Sequence, residues 1–290
     1  MSGTETSGTE MQGMGLAQAW RASAQFLRAA GSPSPALDAR LLAEHVAGAA
    51  LATDGSARLS AEACARLRAL SQRRAAGEPV ARLKGRREFY GLEVALTPAV
   101  LDPRPDSEVL VDAALAHWPR QGRGRALDLG TGSACLIAAF LRARPHARAL
   151  AVERSSAALQ VARHNARALG VLGRVQFRRS DWFSHVSGTY RLVLANPPYI
   201  AAAEWEHLAR DVAGYDPWAA LYGGADGLAA SRKIVRGAAR YLAPDGVLLM
   251  EIAPHQKAAL AALVHGAGLR LQGVARDLAE RERVLILGRA

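Results

Sequence analysis

Four consecutive residues, Asn196-Pro197-Pro198-Tyr199, could do chemistry on a planar nitrogen group. The asparagine offers an amide, the prolines leave carbonyls without competing N–H donors, and the tyrosine adds a flat ring. The Asn196 side-chain oxygen and the Pro197 carbonyl are natural acceptors for the two N–H groups of a primary amide. Held that way, a poorly nucleophilic amide nitrogen is oriented, and the positive charge it develops during attack is stabilised. Tyr199 can pack against the flat group and exclude water. No strong general base stands in the motif. A carboxamide and a nucleobase edge carrying an exocyclic NH2 look alike to such a site, so the motif alone leaves protein and nucleic acid both open as substrates.

A second set of residues suits a nucleoside. Leu127-Asp128-Leu129-Gly130-Thr131-Gly132-Ser133-Ala134 joins an apolar strand to a helix, with Gly130 and Gly132 permitting a tight turn and close backbone approach to a ligand. A dinucleotide fingerprint would place a third glycine where Cys135 stands, and here the acidic residue, Asp128, precedes the glycines. Glu153 ends the next strand, where a carboxylate can accept both hydroxyls of a ribose. Ser180-Asp181-Trp182-Phe183 follows the third strand and offers a polar contact and a ring to an adenine. With no Gly-Lys-Ser/Thr run to cradle a triphosphate, these residues predict a nucleoside ligand without an essential phosphate.

The elements that must position these groups alternate. Apolar runs at Arg125–Leu129, Ala149–Glu153, Arg174–Arg178, Arg191–Ala195, Gly246–Ile252, Leu269–Val274 and Arg283–Leu287 read as strands, with helical periodicity between most of them. The pattern predicts an α/β fold with a doubly wound, mostly parallel seven-stranded sheet. The last two runs lack a strong helix between them, so the final strand is expected to enter antiparallel. In that architecture ligands bind at the carboxyl ends of the strands, where Gly130, Glu153, Ser180 and Asn196 all fall. Two consecutive prolines also force the chain out of the sheet after Ala195.

Upstream of the sheet, residues 16–78 read as helices. Leu16, Ala19, Trp20, Phe26, Leu27 and Ala30 share a face, Ser34-Pro35 starts a second helix, and a third follows Ser60. Residues 79–105 form a linking β-hairpin with Gly91 near its bend, and Pro103-Arg104-Pro105 is a stiff segment that presents Arg104. Helix resumes near Asp106, opening a domain over 106–290. Residues 1–15, rich in Gly, Ser, Thr and Glu, read as a disordered tail and not as a signal peptide.

Composition narrows the class further. Of 290 residues half are hydrophobic, and no run approaches the ~20 apolar residues of a membrane helix; a soluble, cytoplasmic protein with no membrane partner is expected. Cys64 and Cys135 are too few for a disulfide framework or a metal site and are read as packing residues. The net charge of +11 raises the question of nucleic acid, but all but three of the 37 basic residues are arginine, scattered through an Ala-rich chain without aromatic interleaving. They are read as solvated faces, and no nucleic acid is required as a partner.

On Asn196 to Tyr199, Asp128 to Gly132, Gly77-Glu78-Pro79-Val80, Arg87 to Leu92, Pro103 to Glu108, Glu251-Ile252 and Asp277 to Val284, the chain resembles the release-factor N5-glutamine methyltransferases. These are a family of class I S-adenosylmethionine-dependent methyltransferases. The likeness spans residues 16–290. It implies S-adenosylmethionine as cofactor, wrapped by Gly130, Thr131, Gly132, Ser133 and Ala134, with Glu153 on the ribose, Trp182 beside the adenine and Asn196 reaching cofactor and substrate. Asn196, Pro197, Pro198, Tyr199 and Arg104 would bind the substrate, with Asn196, Pro197 and Tyr199 carrying catalysis. The implied partner is a class I peptide-chain release factor, methylated on the glutamine of its Gly-Gly-Gln loop. A ribosomal-protein glutamine and an rRNA or DNA amino group are the alternatives. Methylation of cytosine carbon lacks its Pro-Cys nucleophile, and metal-assisted O-methylation lacks a ligand cluster. The family usually carries an aliphatic residue at Asp102, often a glycine at Ala134 and Ala253, and Glu-Pro at Asp216-Pro217. Asp102 beside Arg104 could alter how substrate reaches the site.

Overall fold

The computed structural model describes residues 15–48 and 58–290; all but the last residue of the expected N-terminal tail lies outside them. The chain divides into two compact units, one ending at Gly85 and the other spanning Arg86–Ala290.

The first unit contains α1 (Leu16–Ala29), α2 (Pro35–Ala47), α3 (Ala61–Ala75) and α4 (Val80–Lys84). Pro35 stands at the first turn of α2, where its missing N–H removes no intrahelical bond. The Ser60 hydroxyl accepts the Ala63 N–H at 3.1 Å and caps α3. Leu16, Leu42, Cys64, Leu67, Leu70 and Leu83 close a small core, so Cys64 is a packing residue. Phe26 departs from the expected apolar face. It is 46% exposed, because Ala19, Ser23, Ala24 and Leu27 form the inward stripe of α1. Helix α4 falls where the sequence suggests extended chain, and left-handed Gly85 (φ 66°) ends it.

The second unit opens with a hairpin of β1 (Arg86–Phe89) and β2 (Leu92–Ala95). Tyr90 and Gly91, at φ 52° and 70°, make the two-residue turn whose twist matches the flanking strands. After α5 (Glu108–Ala116) come β3 (Gly124–Leu129), α6 (Cys135–Ala143), β4 (Ala147–Glu153), α7 (Ser156–Ala168), β5 (Val175–Arg179) and β6 (Tyr190–Ala195). Two short helices, α8 (Arg210–Tyr215) and α9 (Trp218–Leu221), precede α10 (Ala229–Ala238), β7 (Leu242–Glu251), α11 (Lys257–Val264), β8 (Leu269–Arg276) and β9 (Glu282–Arg289).

All seven expected strands join one sheet in the order β5-β4-β3-β6-β7-β9-β8. The first five are parallel; β9 lies antiparallel between β7 and β8. A short turn, with no helix in it, joins β8 to β9, so the two must run in opposite directions. Strand alternation splits the apolar residues between two faces. Ala126, Leu192 and Leu194 pack with Leu110, Ile137 and Phe140, whereas Leu127, Leu129, Val193 and Ala195 pack with Ile234, Val235 and Leu260. From β3 the chain winds outward to β5, then returns to β6 on the other side of β3. That reversal opens a crevice at the carboxyl ends of β3 and β6.

Candidate active site

A cavity of about 590 Å³ occupies that crevice, lined by residues between Ala99 and Lys233 of the second unit. Gly130, Thr131, Gly132, Ser133, Glu153, Trp182, Asn196, Pro198 and Arg104 all line it.

The glycine turn is held from below. The N–H groups of Gly130 and Thr131 both donate to the Val152 carbonyl, at 2.9 and 3.0 Å. Gly130, Gly132 and Ala134 are left-handed, at φ 69°, 52° and 65°; at Ala134 a residue with a Cβ occupies a conformation that favours glycine. Thr131 donates its hydroxyl to buried Asp128 at 2.5 Å. The other Asp128 oxygen has no hydrogen-bond partner among the described residues, and burial pushes this carboxyl up to about 7 against the Thr131 bond that lowers it. Glu153 is oriented by two backbone donors, Gly132 N–H to Oε2 at 3.2 Å and Ser155 N–H to Oε1 at 3.0 Å. Each oxygen keeps a further lone pair for a ligand. A Cβ at Gly130 would lie 3.3 Å from the Trp182 ring, so the indole rests directly on the glycine. Phe183 instead stacks on Tyr241, at 4.7 Å between centroids, and belongs to the core.

At the end of β6, Asn196 donates its Nδ2 N–H to the Ser107 hydroxyl at 3.1 Å. Pro197 is buried, while Asn196, Pro198 and Tyr199 are half-buried. Burial first, and the nearby Glu251 second, push the Tyr199 phenol up to about 12, so it is neutral at physiological pH. The Tyr199 carbonyl accepts from Gln256 Nε2 at 2.9 Å, and the same amide donates to the Gly227 carbonyl at 3.1 Å.

The Pro103-Arg104-Pro105 segment is embedded in ion pairs. Arg87 makes a two-pronged bond to Asp102, at 2.6 and 2.5 Å, so the unusual Asp102 charge is neutralised by Arg87, itself in the Arg87-to-Leu92 stretch that resembles the family. Arg104 donates to Asp216, whose other oxygen accepts the Asp102 N–H at 3.1 Å. The substrate-binding candidate Arg104 thus also ties its own segment to the Asp216-Pro217 stretch. Asp106 meets Arg283 at 2.6 Å, and Arg283 and Arg281 both bond Asp277, at 2.9 and 2.7 Å. Burial opposes ionisation of Asp277, but its bonds to Arg283, Arg281 and two backbone N–H groups hold it far below the usual carboxylate range.

Four residues of this site carry no expected role in the sequence. Ser107 braces Asn196, and Gln256 braces the Tyr199 carbonyl. Asn165 of α7 donates to the Ser133 carbonyl at 2.9 Å while pairing with both backbone groups of Ala95, which ties the glycine turn to the hairpin. Glu251, a marker of the family resemblance with no role attached, is buried at the end of β7 next to Asn196. Nothing in local patterning marks them; a polar residue where periodicity asks for an apolar one is the signal that finds them.

Residues 18–85 match the PrmC N-terminal domain and residues 105–212 the methyltransferase small domain. A methyltransferase from Pyrococcus furiosus shares the fold, with a TM-score of 0.50 and 18% identity over 69% of this chain and 89% of that one. Fold and site define a Rossmann-like methyltransferase. The release factor glutamine methyltransferase of Cereibacter sphaeroides is 44% identical, covering 94% of this chain and 98% of its own. That of Burkholderia pseudomallei is 45% identical, covering 90% and 94%. This chain belongs to the release factor glutamine methyltransferase family.

Proposed function

We propose that the protein transfers a methyl group from S-adenosylmethionine to the side-chain amide nitrogen (N5) of the glutamine in the Gly-Gly-Gln loop of bacterial class I peptide-chain release factors. One observation carries this reading: Asn196 opens onto the same cavity as Glu153 and the glycine turn, with its amide already held through Nδ2. Similarity to enzymes of that name over nearly the full length, at 44% and 45% identity, supports the choice of substrate.

The residues present fit the cofactor. Glu153 is braced by two N–H groups with lone pairs to spare for ribose hydroxyls, and Gly130 and Gly132 of the turn line the cavity without a side chain of their own. Gly130, Thr131, Gly132, Ser133 and Ala134 would form the cradle, with Trp182 flanking the adenine and Asn196 at the methyl end. S-adenosylmethionine supplies a methyl group already activated on a sulfonium.

The chain's own contribution is to the acceptor. Asn196 Oδ1 and the Pro197 carbonyl take the two N–H groups of the glutamine, which points the nitrogen lone pair along the line of transfer and stabilises its developing charge. The neutral Tyr199 ring packs on the amide plane, and Pro198 and Arg104 complete the substrate wall. No base acts before transfer, because the nitrogen gives up its proton only after it has become cationic. This reading puts the protein in the cytoplasm; no helix among the described residues is long and apolar enough to cross a membrane.

The test is transfer of label from S-adenosylmethionine to purified release factor, with a loop variant carrying alanine for the glutamine as control. Label on the release factor, lost in the control, is expected. Label on rRNA or DNA in a mixture, with none on the release factor, overturns the substrate assignment.

A further inference from the structure

We infer that Ser107 and Glu251 are positioning residues that decide which end of the Asn196 amide faces the substrate. The two ends of a carboxamide have nearly the same shape, so packing alone does not orient it. Asn196 works as an acceptor only if Oδ1 points into the cavity and Nδ2 away from it. Its Nδ2 donates to the hydroxyl of Ser107, a residue only 3% exposed. A hydroxyl carries one proton, and an oxygen that accepts from Asn196 needs another acceptor for that proton.

Glu251 is the group placed to take it. It is 2% exposed and ends β7 one residue past Met250, which pairs with Ala195, so it lies beside Asn196 in the sheet. Its Oε2 has no hydrogen-bond partner among the described residues. Ser107 and Asn196 both sit against this carboxyl and favour its ionised form. An ionised carboxylate is acceptor-only, so it draws the Ser107 proton, and Ser107 must then accept from Asn196. A protonated Glu251 removes that constraint. The Ser107 proton is then free to go to Asn196 Oδ1, and the amide turns its NH2 toward the substrate N–H groups.

Burial is the leading influence on Glu251 and pushes it up to about 7. Ser107, from the turn before α5, and Arg283 of β9 oppose that, whereas Asp106 adds to it. Tyr199 and Asn196 face it from the loop after β6, and Cys135 faces it from the start of α6. Tyr199 and Cys135, both pushed up to about 12, stay neutral throughout, so among the groups that face it Glu251 changes charge near neutrality. Asp128, also pushed up to about 7, stands apart under the glycine turn and is absent from the groups that act on Glu251.

This inference rests on the glutamine reading, and one set of variants separates the two. Methyl transfer to release factor is measured for the wild type, Ser107→Ala, Glu251→Gln, the double variant and Asn196→Ala between about pH 6 and about pH 9. S-adenosylmethionine affinity, measured alongside, reports folding of the site. The expected result is a kcat lower by about tenfold or more in each single variant with cofactor affinity retained. The double variant should be no worse than the poorer single one, since both break one relay. The wild-type fall in kcat toward acid pH should vanish in Glu251→Gln, which stays shape-matched but cannot titrate. Wild-type kcat in Ser107→Ala, additive losses in the double variant, or an acid limb that survives Glu251→Gln each overturns the relay. If the wild type does not label release factor, it is the substrate reading that fails. If Asn196→Ala is inactive while Ser107→Ala and Glu251→Gln behave as wild type, only the relay fails.

Discussion

Asn196, just after β6, and Glu153, at the end of β4, stand on either side of β3, and the proposed reading gives the acceptor to the first and the cofactor to the second. Asn196→Ala removes an acceptor aimed at charge that develops only during transfer, so kcat should fall by ~10²–10³ with cofactor affinity little changed. Glu153→Ala removes ground-state contacts, so isothermal titration should show weaker S-adenosylmethionine binding, by about 1–3 kcal/mol. An unchanged affinity would show that Glu153 is only a brace for the turn. Asp128 makes a prediction about pH. Its folded value, about 7, lies above the ordinary 3.8. The folded state therefore holds a proton that the unfolded state has released, and the associated stability is complete below about pH 3.8 and lost as pH rises through about 7. The full effect is of order 4 kcal/mol. Urea titrations of the cofactor-free protein should give a midpoint that falls from pH 5 to pH 8, and Asp128→Asn should flatten that slope. A slope unchanged in the variant would refute the assignment.

At the scale of elements, the loop after β6 is shaped by a segment more than twenty residues later. Gly227 (φ 73°) lies so close that a Cβ there would strike the Tyr199 carbonyl and come within 2.7 Å of Gln256 Nε2. Gly227→Ala should therefore lower the melting temperature and depress kcat together, with left-handed strain alone costing about 1–2 kcal/mol. Gln256→Ala leaves two carbonyls short of a buried donor, a loss of about 1–3 kcal/mol. Its transfer rate should fall more than its S-adenosylmethionine affinity, because Gln256 supports the acceptor side of the cavity. The strands themselves are legible from apolar runs bounded by turn residues. The Gln256 and Asn165 clamps are not, since each joins residues that are distant in sequence and leaves no local period.

For the whole molecule, every residue lining the cavity belongs to the Arg86–Ala290 unit. That unit has its own two-faced core. Expressed alone, residues 86–290 should bind S-adenosylmethionine within about threefold of the full chain, a difference below 1 kcal/mol. Loss of binding would mean that the helical unit helps to build the nucleoside site. Part of the arginine content is engaged in ion pairs: Arg87, Arg104, Arg281 and Arg283 all serve carboxylates around the Pro103-Arg104-Pro105 segment, so the net excess of +11 rests on the other basic residues. An arginine count read as surface charge therefore overstates what is free to meet a partner.

The sequence by itself determined the kind of sheet, the strand ends that carry polar groups, and the family. Those properties follow from short-range periodicity, from proline and glycine geometry, and from contiguous motifs. The tertiary structure decided how the site is held. It brought Ser107 and Glu251 to Asn196, Gln256 to Tyr199, Asn165 to the glycine turn, and Asp216 to Arg104. A buried polar group must find its partner wherever the fold brings one within about 3 Å, and that distance is set by packing between elements and not by separation along the chain.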